Sequence, residues 1–373
     1  MIKRRLQRVI ERYLFSGKTI LLTGARQVGK TTLLKNIPKL NTDNALWLNG
    51  DNPDDRVLLN NINSTKAKEL FPPQSIVVID EAQRIDNAGL TLKIIHDNCR
   101  QIQLIATGSS SFELTDKIKE SMTGRKWTFR LYPVSLSELI DNTNILEVLR
   151  SLETRMIYGS YPEVITNPGN EKAVLRELVS DYLYKDVFSL KEVRKPDVLE
   201  KLLQALAFQT GNQVSNRELS RLIQVDKDTI DRYLYLLEEA YIIFRLRSFS
   251  RNLRSEIKRS KKVYFYDVGI RNAIINQYSP LVLRNDVGAL WENLMIVERL
   301  KKSEYNSDYC NRYFWRTSRQ QEIDYLEEAD GKLSAFEFKW STSKSVRPPV
   351  PFIKTYPDAQ FTVVTKENFL DFI

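Results

Sequence analysis

Gly24-Ala-Arg-Gln-Val-Gly29-Lys30-Thr31 is the stretch of sequence that decides the fold. It fits the pattern G-x-x-x-x-G-K-[ST], and it lies between an apolar strand candidate, residues 19–22, and a helix candidate. Such a loop can wrap around phosphates, because its glycines allow close approach, its N–H groups carry partial positive charge and its lysine adds a full charge. The alternative, a glycine-rich turn with a solvated lysine, fits the flanking elements less well.

The loop and the first turn after it therefore form the predicted phosphate site. The candidate residues are Gly24, Ala25, Arg26, Gln27, Val28, Gly29, Lys30, Thr31 and Thr32. The hydroxyl of Thr31 is the candidate ligand for Mg²⁺.

A second stretch, Ser75-Ile-Val-Val-Ile-Asp80-Glu81, reads as a buried strand that ends in two acids. In a phosphate-loop fold, Asp80 is expected to hold Mg²⁺ through water and Glu81 to polarise the attacking water. A strand merely capped by acids is the alternative.

Three further positions are candidates for the γ-phosphate. The strand at residues 102–106 ends in hydroxyl residues and aims Thr107 or Ser109 at the phosphate, although a polar turn explains them nearly as well. Arg125 is the candidate arginine finger, with Arg84 and Arg26 as competitors, because an arginine stabilises the charge of the transferring group.

The composition of the chain excludes several classes of functional site and favours a protein that binds phosphates. The chain has 373 residues and a net charge of +9, which predicts two or three domains and a surface that attracts phosphates. The chain has only one histidine, His96, so a two-histidine zinc motif is excluded. It has only two cysteines, so a disulfide framework is excluded as well. Without a long apolar run or a secretory signal, we expect a cytoplasmic protein with no membrane partner.

The pattern of apolar segments changes twice along the chain. Residues 18–140 alternate strand and helix candidates, which predicts an α/β fold with a parallel sheet covered by helices on both faces. Residues 170–250 are leucine-rich with helical spacing and end in a β-hairpin or wing. From residue 263 onward, β-branched and aromatic strands return, which predicts an α+β unit.

These motifs, together with Ala106-Thr-Gly-Ser-Ser110, Gly124-Arg125 and Gly159-Ser-Tyr-Pro162, resemble those of prokaryotic AAA-type ATPases with a C-terminal domain of unknown function. The resemblance implies an AAA+-like P-loop ATPase domain over residues 1–170 and a winged helix over 171–262. It also implies a restriction-endonuclease-like domain, related to the PD-(D/E)XK nucleases, over 263–373. Ser160 departs from the usual Gly-Gly-Tyr-Pro element.

The middle segment has the pattern of a helix-turn-helix, with Ser215 and Asp226 as candidate helix caps. Acidic side chains at the start of the second helix would face DNA phosphates, which argues against a role of this helix in reading DNA bases. The basic segment 245–262, with Phe249 among its charges, can instead bind a phosphate backbone. A solvated hairpin or an inter-domain contact surface explains the same charges.

Two C-terminal strands carry opposed acids. With Asp330-Gly331 as a two-residue turn, Asp324 lies opposite Glu337, and a divalent cation would relieve their repulsion. Glu292, on a nearby helix, completes the set. By resemblance to the PD-(D/E)XK site, Glu292, Asp324 and Glu337 hold a second Mg²⁺ or Mn²⁺, and Lys339 orients the attacking water. A solvated strand is the alternative.

Two functions follow from these residues. The first is an ATPase that uses Mg²⁺ and whose nucleotide state controls a DNA-binding or nuclease-like C-terminal module. The second is an ATP-dependent switch or scaffold that acts through protein partners and whose nuclease fold is silent. A finger supplied by a neighbouring subunit would require a homo-oligomer.

Overall fold

The computed structural model describes residues 2–108, 121–181, 187, 193–250, 261–341 and 346–373. The chain forms two compact units. One comprises the residues up to Val134 together with Glu239–Tyr241, and the other comprises Ser135–Glu238 and Ile242–Ile373.

The first unit is built on a five-stranded parallel sheet with the order β2-β3-β4-β1-β5. The strands are β1 (Thr19–Thr23), β2 (Ala45–Asn49), β3 (Ile76–Asp80), β4 (Gln103–Gly108) and β5 (Lys126–Arg130). The three inner strands β1, β3 and β4 are buried throughout, as expected when both faces of a parallel sheet are covered. The predicted α/β fold with a parallel sheet is confirmed.

Among the described residues, this sheet is accompanied by helices α1 (Arg5–Tyr13), α2 (Lys30–Lys35), α3 (Pro53–Asn60), α4 (Ser64–Leu70) and α5 (Ala88–Asn98). Strand residues such as Leu21, Val77 and Ile79 share one core with Leu59 of α3 and Leu92 of α5. This core fixes the strand ends from which the phosphate loop and the acidic pair emerge.

The second unit combines helices with a seven-stranded mixed sheet. Its helices are α6 (Leu136–Asn142), α7 (Ile145–Tyr158), α8 (Pro162–Thr166), α9 (Glu171–Val179), α10 (Pro196–Phe208), α11 (Asn216–Ile223), α12 (Lys227–Glu239), α13 (Val268–Ile274), α14 (Val287–Asn306), α15 (Val350–Thr355) and α16 (Phe369–Phe372). Its strands are β6 (Gln213–Val214), β7 (Ile243–Ser248), β8 (Lys261–Phe265), β9 (Asn311–Arg316), β10 (Glu322–Ala329), β11 (Lys332–Phe338) and β12 (Gln360–Val364).

The sheet order β12-β11-β10-β9-β7-β8-β6 joins two segments that the sequence assigns to separate domains. Strands β7 and β8 form an antiparallel pair after helices α11 and α12, and β7 also pairs in parallel with β9 of the C-terminal segment. The division at residues 262 and 263 falls within β8, whereas the compact units divide after Val134.

The hairpin of β10 and β11 has the predicted register, in which Ala329 pairs with Lys332 and Tyr325 with Phe336. Both turn residues, Asp330 and Gly331, have positive φ angles of 50° and 75°, as a two-residue hairpin turn requires. The register of β10 against β9 shifts between Ile323 and Leu326.

Both predicted helix caps are present in the middle segment. The hydroxyl of Ser215 accepts the N–H of Glu218 at 3.1 Å, and the carboxylate of Asp226 accepts the N–H of Thr229 at 2.7 Å. The N-terminal ends of helices α11 and α12 are therefore set by capping side chains that can be identified in the sequence.

The Gly159-Ser-Tyr-Pro162 element binds the start of helix α13. Asp267, the cap of that helix, accepts the N–H of Ser160 at 2.7 Å and the N–H of Gly269 at 2.8 Å. A Cβ on Gly159, whose φ is 71°, would lie 1.9 Å from Asp267 Oδ1. The Ser160 contact uses the backbone alone, so the departure from glycine at this position leaves the contact intact.

Candidate nucleotide site and C-terminal carboxylate cluster

The phosphate loop connects β1 to α2 through two glycines with positive φ. Gly24 has a φ of 149°, and a Cβ there would lie 2.2 Å from the carbonyl oxygen of Leu131. Gly29 has a φ of 92° and open space around it. Gly24 is therefore required by close backbone approach, and Gly29 by conformation alone.

Arg4, just before helix α1, holds the phosphate loop through hydrogen bonds to backbone carbonyls. Its guanidinium is buried and donates to the carbonyl oxygens of Val28 at 2.9 Å and Tyr132 at 2.6 Å. The sequence does not single out Arg4, because an arginine in a charged N-terminal segment gives no local sign of burial.

Lys30 turns its ammonium group into the loop. Its Nζ donates to the carbonyl oxygens of Gly24 at 3.0 Å and Ala25 at 2.9 Å. Burial lowers the pKa of Lys30 to about 8, although the nearby carboxylates of Glu81 and Asp80 act in the opposite direction. A buried ammonium held by neutral carbonyls is a site that an anionic phosphate would stabilise.

The two predicted magnesium residues meet in this structure. The hydroxyl of Thr31 donates to Asp80 Oδ2 at 2.8 Å. Thr107, from the end of β4, donates to the other carboxylate oxygen of Asp80 and accepts the N–H of Glu81 at 3.1 Å. A hydroxyl and a carboxylate in contact at the helix start form an oxygen donor set that fits Mg²⁺.

Glu81 has a left-handed backbone with a φ of 50°, and its carboxylate accepts a hydrogen bond from the Gln83 amide. The neighbouring strand end is pressed against this position: a Cβ on Gly50 would lie 2.3 Å from the Glu81 carbonyl oxygen. The backbone beside the predicted water-activating carboxylate is therefore tightly held.

An open cleft of about 420 Å³ adjoins the contact between Thr31 and Asp80. Its lining includes polar and aromatic side chains from α2, from β2, from the end of β3 and from the segment between α2 and β2, namely Thr31, Lys35, Asn41, Trp47, Asn49 and Asp80. The acidic strand end is thus accessible to a solute.

The arginine candidates lie in different places. Arg125 precedes β5, and its carbonyl accepts the N–H of Thr19, at the end of β1 opposite to the phosphate loop. Its guanidinium binds Asp97 at 2.8 Å. At about 3.3 Å per strand residue, the β1 strand separates Arg125 from the loop, so the structure does not bring it to the phosphate site of the same chain.

The remaining γ-phosphate candidates have different surroundings. Arg84 forms an exposed ion pair with Asp51 at 3.3 Å. Arg26 lies within the loop and is partly exposed. Ser109 lies outside the described residues, and Thr107 is the hydroxyl that contacts both acids.

The C-terminal carboxylate cluster comprises Glu292, Glu322, Asp324 and Glu337. The structure also brings Lys262 of β8 into the cluster. Lys262 Nζ lies 2.9 Å from Glu292 Oε1, 2.5 Å from Glu322 Oε1 and 3.8 Å from Asp324 Oδ1. Lys339 binds Glu337 at 2.8 Å. The predicted residues therefore lie in one cluster, which also contains a lysine whose sequence context predicts a basic surface.

Burial and mutual repulsion shift the pKa values within this cluster. Burial and the charge of Asp324 raise the pKa of Glu292 to about 7, against the opposing effects of Lys262 and Tyr264. Burial by itself would lower the pKa of Lys262, but Glu292, Asp324 and Glu322 raise it above its ordinary value. Lys262 is therefore charged at neutral pH.

The basic segment 245–262 presents fewer free charges than its sequence suggests. Arg245 binds the carboxylate of Glu238 and lies 3.7 Å from Asp231, while Lys262 is buried in the carboxylate cluster. Phe249 packs in the hydrophobic core with Trp315 and Phe352. For Phe249 and Lys262, which are buried, the predicted contact with a phosphate backbone is wrong, whereas for the rest of the segment it stays a prediction. Residues 251–260 lie outside the described part of the chain.

Three family models match the chain in succession. Residues 16–140 match an AAA domain, residues 149–280 match a domain of unknown function, DUF8612, and residues 287–372 match another, DUF4143. The fold is similar to that of a Walker-type ATPase of Pyrococcus abyssi, with a TM-score of 0.52 and 15% identity over 74% of this chain and 96% of that one. The N-terminal part of this chain has a P-loop ATPase fold.

Two of the relatives of this chain are uncharacterized proteins. A protein of Mycobacterium tuberculosis is 28% identical over 348 residues, which cover 92% of this chain and 74% of that protein. A protein of Methanocaldococcus jannaschii is 24% identical over 352 residues, which cover 88% of this chain and 76% of that protein. Within the described ranges, every helix is too short or too polar to cross a bilayer.

Proposed function

We propose that this protein binds ATP with Mg²⁺ and hydrolyses it to ADP and phosphate. The observation that carries the proposal is the geometry at the start of α2, where the buried Lys30 ammonium and the contact between Thr31 and Asp80 lie side by side. The AAA domain match over residues 16–140 supports it.

The loop residues each have a distinct task in this proposal. The backbone N–H groups of residues 24–32 and the Lys30 ammonium bind the phosphates. Thr31 and Asp80 hold Mg²⁺, which neutralises charge on the phosphate oxygens when it is bound. Thr107 fixes the carboxylate of Asp80 by its hydrogen bond and positions the backbone of Glu81.

Glu81 is the residue that prepares water. Its carboxylate accepts the proton of the water that attacks the γ-phosphorus, and the bond from that phosphorus to the β-phosphate oxygen breaks. The left-handed backbone at Glu81 and the close approach of Gly50 keep this carboxylate at the strand end.

Phosphate release measured under steady-state conditions tests the hydrolysis step. Glu81→Gln is expected to lower kcat by at least about 100-fold, because it removes the base, while ATP binding is kept. Lys39→Ala, an exposed lysine of the same unit, is the control and should match the wild type. A Glu81→Gln protein with wild-type kcat would show that Glu81 does not activate the water.

We further propose that nucleotide state acts on the second unit. One version has that unit bind or cut DNA. The other has it act as a scaffold for protein partners, and the internal ion pairs of Arg245 and Lys262 favour this version, since they withdraw two cations from any phosphate backbone.

A plasmid assay separates the two versions. Nicking in Mg²⁺ or Mn²⁺ that is lost in Glu337→Ala would establish cutting. DNA binding with a steep salt dependence and no nicking would establish a non-cutting binder. Absence of both, with ATP hydrolysis intact, is the result expected for the scaffold.

A further inference from the structure

The lysine inside the carboxylate cluster lies close to two of the three acids that would hold a divalent cation, Glu292 and Asp324. Three carboxylates converge on Lys262 Nζ, with Glu292 and Glu322 at 2.9 and 2.5 Å and Asp324 at 3.8 Å. Glu292, Asp324 and Glu337 are the residues that a PD-(D/E)XK site would use for its metal. The fit of that metal can therefore be judged from the contacts of these carboxylates.

The position of Lys262 is fixed by its strand. It lies in β8, between β7 and β6, where it pairs with Leu246 on one side and Gln213 on the other. Its side chain is only 2% exposed, and its Nζ lies 5.6 Å from the centre of the Phe314 ring. Removing this ammonium would leave the surrounding carboxylates without their counter-charge.

A second side chain of β8 contributes to the same arrangement. Tyr264, two residues further and hence on the same face of the strand, donates its hydroxyl to Glu292 Oε1 at 2.5 Å. One oxygen of Glu292 therefore accepts both the lysine and the tyrosine. Strand β8 thus supplies two donors to α14.

The other carboxylates are also occupied by protein groups. Asp324 Oδ2 accepts the N–H of Phe338 at 2.9 Å, Glu322 Oε2 binds Arg316 at 3.1 Å, and Glu337 Oε1 binds Lys339 at 2.8 Å. A divalent ion needs several carboxylate or carbonyl oxygens around one point, and an ammonium at that point repels it. In the described part of the chain, no group of acids, histidines or cysteines is arranged to hold a metal. The donor set does not fit the expected metal.

We propose that the Lys262 ammonium is the built-in cation of this cluster and takes the place of a divalent metal. The cluster then serves as an ionic clamp that joins β8 to α14 and β10. As a consequence, the C-terminal part has no metal-dependent nuclease activity. This inference does not depend on ATP binding, and it is tested without nucleotide.

Mn²⁺ binding to the full-length protein, followed by electron paramagnetic resonance of the free ion, tests the clamp. The wild type should show no Mn²⁺ binding that depends on Asp324. Lys262→Met should gain about one Mn²⁺ per chain, because it removes the positive charge and leaves the carboxylates together. Adding Asp324→Asn to Lys262→Met should abolish that gain, and the control Lys332→Met, an exposed lysine of β11, should gain nothing.

Thermal melting provides the second measurement. The wild-type Tm should be the same with Mn²⁺ and with a chelator, whereas Lys262→Met should melt at a lower temperature and recover in part with Mn²⁺. Lys262→Arg should keep more of the wild-type Tm than Lys262→Met does, since it keeps the charge.

The wild type decides the matter even if Lys262→Met fails to fold. Mn²⁺ binding by the wild type that Asp324→Asn removes and Asp80→Asn leaves intact would overturn the proposal. A wild type without such binding, and with a Tm unaffected by Mn²⁺ or a chelator, supports it. A folded Lys262→Met protein that gains no Mn²⁺ would also count against it, because the carboxylates would then not form a cation site.

Discussion

At the scale of single residues, the phosphate loop depends on two glycines for different reasons. Gly24→Ala places a methyl group against the Leu131 carbonyl, so we expect a loss of about 2–4 kcal/mol in the free energy of unfolding and a weaker affinity for ATP. Gly29→Ala meets no neighbour and should cost only about 1–2 kcal/mol, through its positive φ. Urea unfolding of the two variants compares them, and equal losses would contradict the distinction.

Arg4 gives a second prediction at this scale. Arg4→Met removes the donors that hold the Val28 and Tyr132 carbonyls, so it should lower the free energy of unfolding by about 1–3 kcal/mol and weaken ATP binding. Arg8→Met, at an exposed position of helix α1, is the matched control. Wild-type affinity and stability in Arg4→Met would remove this residue from the support of the loop.

Some residues of the site could be predicted from the sequence, and others could not. Lys30, Thr31 and Asp80 stand in local patterns that prescribe their chemistry, and the structure brings Thr31 and Asp80 into contact. Lys262 stands in a Lys-Lys pair beside other basic residues, so its sequence context indicates a surface. Its burial depends on Glu292 and Glu322, which are distant in sequence, and no local pattern can show that contact.

At the scale of elements, the start of helix α14 is held by a buried charge network. Asp286 binds Arg271 at 2.6 Å and Arg284 at 2.8 Å. Burial alone would raise the pKa of Asp286, but the two arginines lower it to about 2, against an ordinary value of 3.8. This difference corresponds to about 2 kcal/mol of stability at neutral pH.

Asp286→Asn should therefore lower the free energy of unfolding by about 2 kcal/mol at pH 7. Because the folded pKa is lower than the unfolded one, the contribution of Asp286 is complete above about pH 4 and disappears as the pH falls through about 2. Urea unfolding at several pH values checks this, with Asp308→Asn, at an exposed position, as control. A difference between wild type and Asp286→Asn that stays constant down to pH 2 would contradict the linkage.

The helices and strands can be predicted from the periodicity of the sequence, but the pairing between distant strands cannot. Strands β1 to β4 and the caps Ser215 and Asp226 were predictable, because burial and capping leave local signals. The pairing of β7 with β9 was not, since it joins strands separated by more than sixty residues. The interpretation of Phe249 as a surface residue was wrong for the same reason: its core partners come from β9 and α15.

At the scale of the whole molecule, the position of Arg125 bears on whether the protein acts as an oligomer. Because it lies at the far end of β1 from the phosphate loop, a finger role requires a second copy of the chain. Hydrolysis per chain should then rise with protein concentration and fall by orders of magnitude in Arg125→Ala. A mixture of Arg125→Ala and Glu81→Gln should regain part of the activity. A rate that is independent of concentration and unchanged in Arg125→Ala would exclude this role.

The function proposed for the N-terminal part is supported by a family match, whereas the function proposed for the C-terminal part is supported by geometry alone. The AAA domain match and the P-loop ATPase fold belong to the N-terminal part, whereas the C-terminal matches are domains of unknown function. The three-domain division, the winged helix and the nuclease-like fold therefore stay predictions.

Calorimetric titration with ATP in the presence of Mg²⁺ tests the central claim most directly. The wild type should bind one ATP per chain, Lys39→Ala should bind it with the same affinity, and Lys30→Ala should lose at least about tenfold, because the buried ammonium is its charged phosphate contact. A folded wild-type protein that does not bind ATP, or a Lys30→Ala protein with unchanged affinity, would contradict the account.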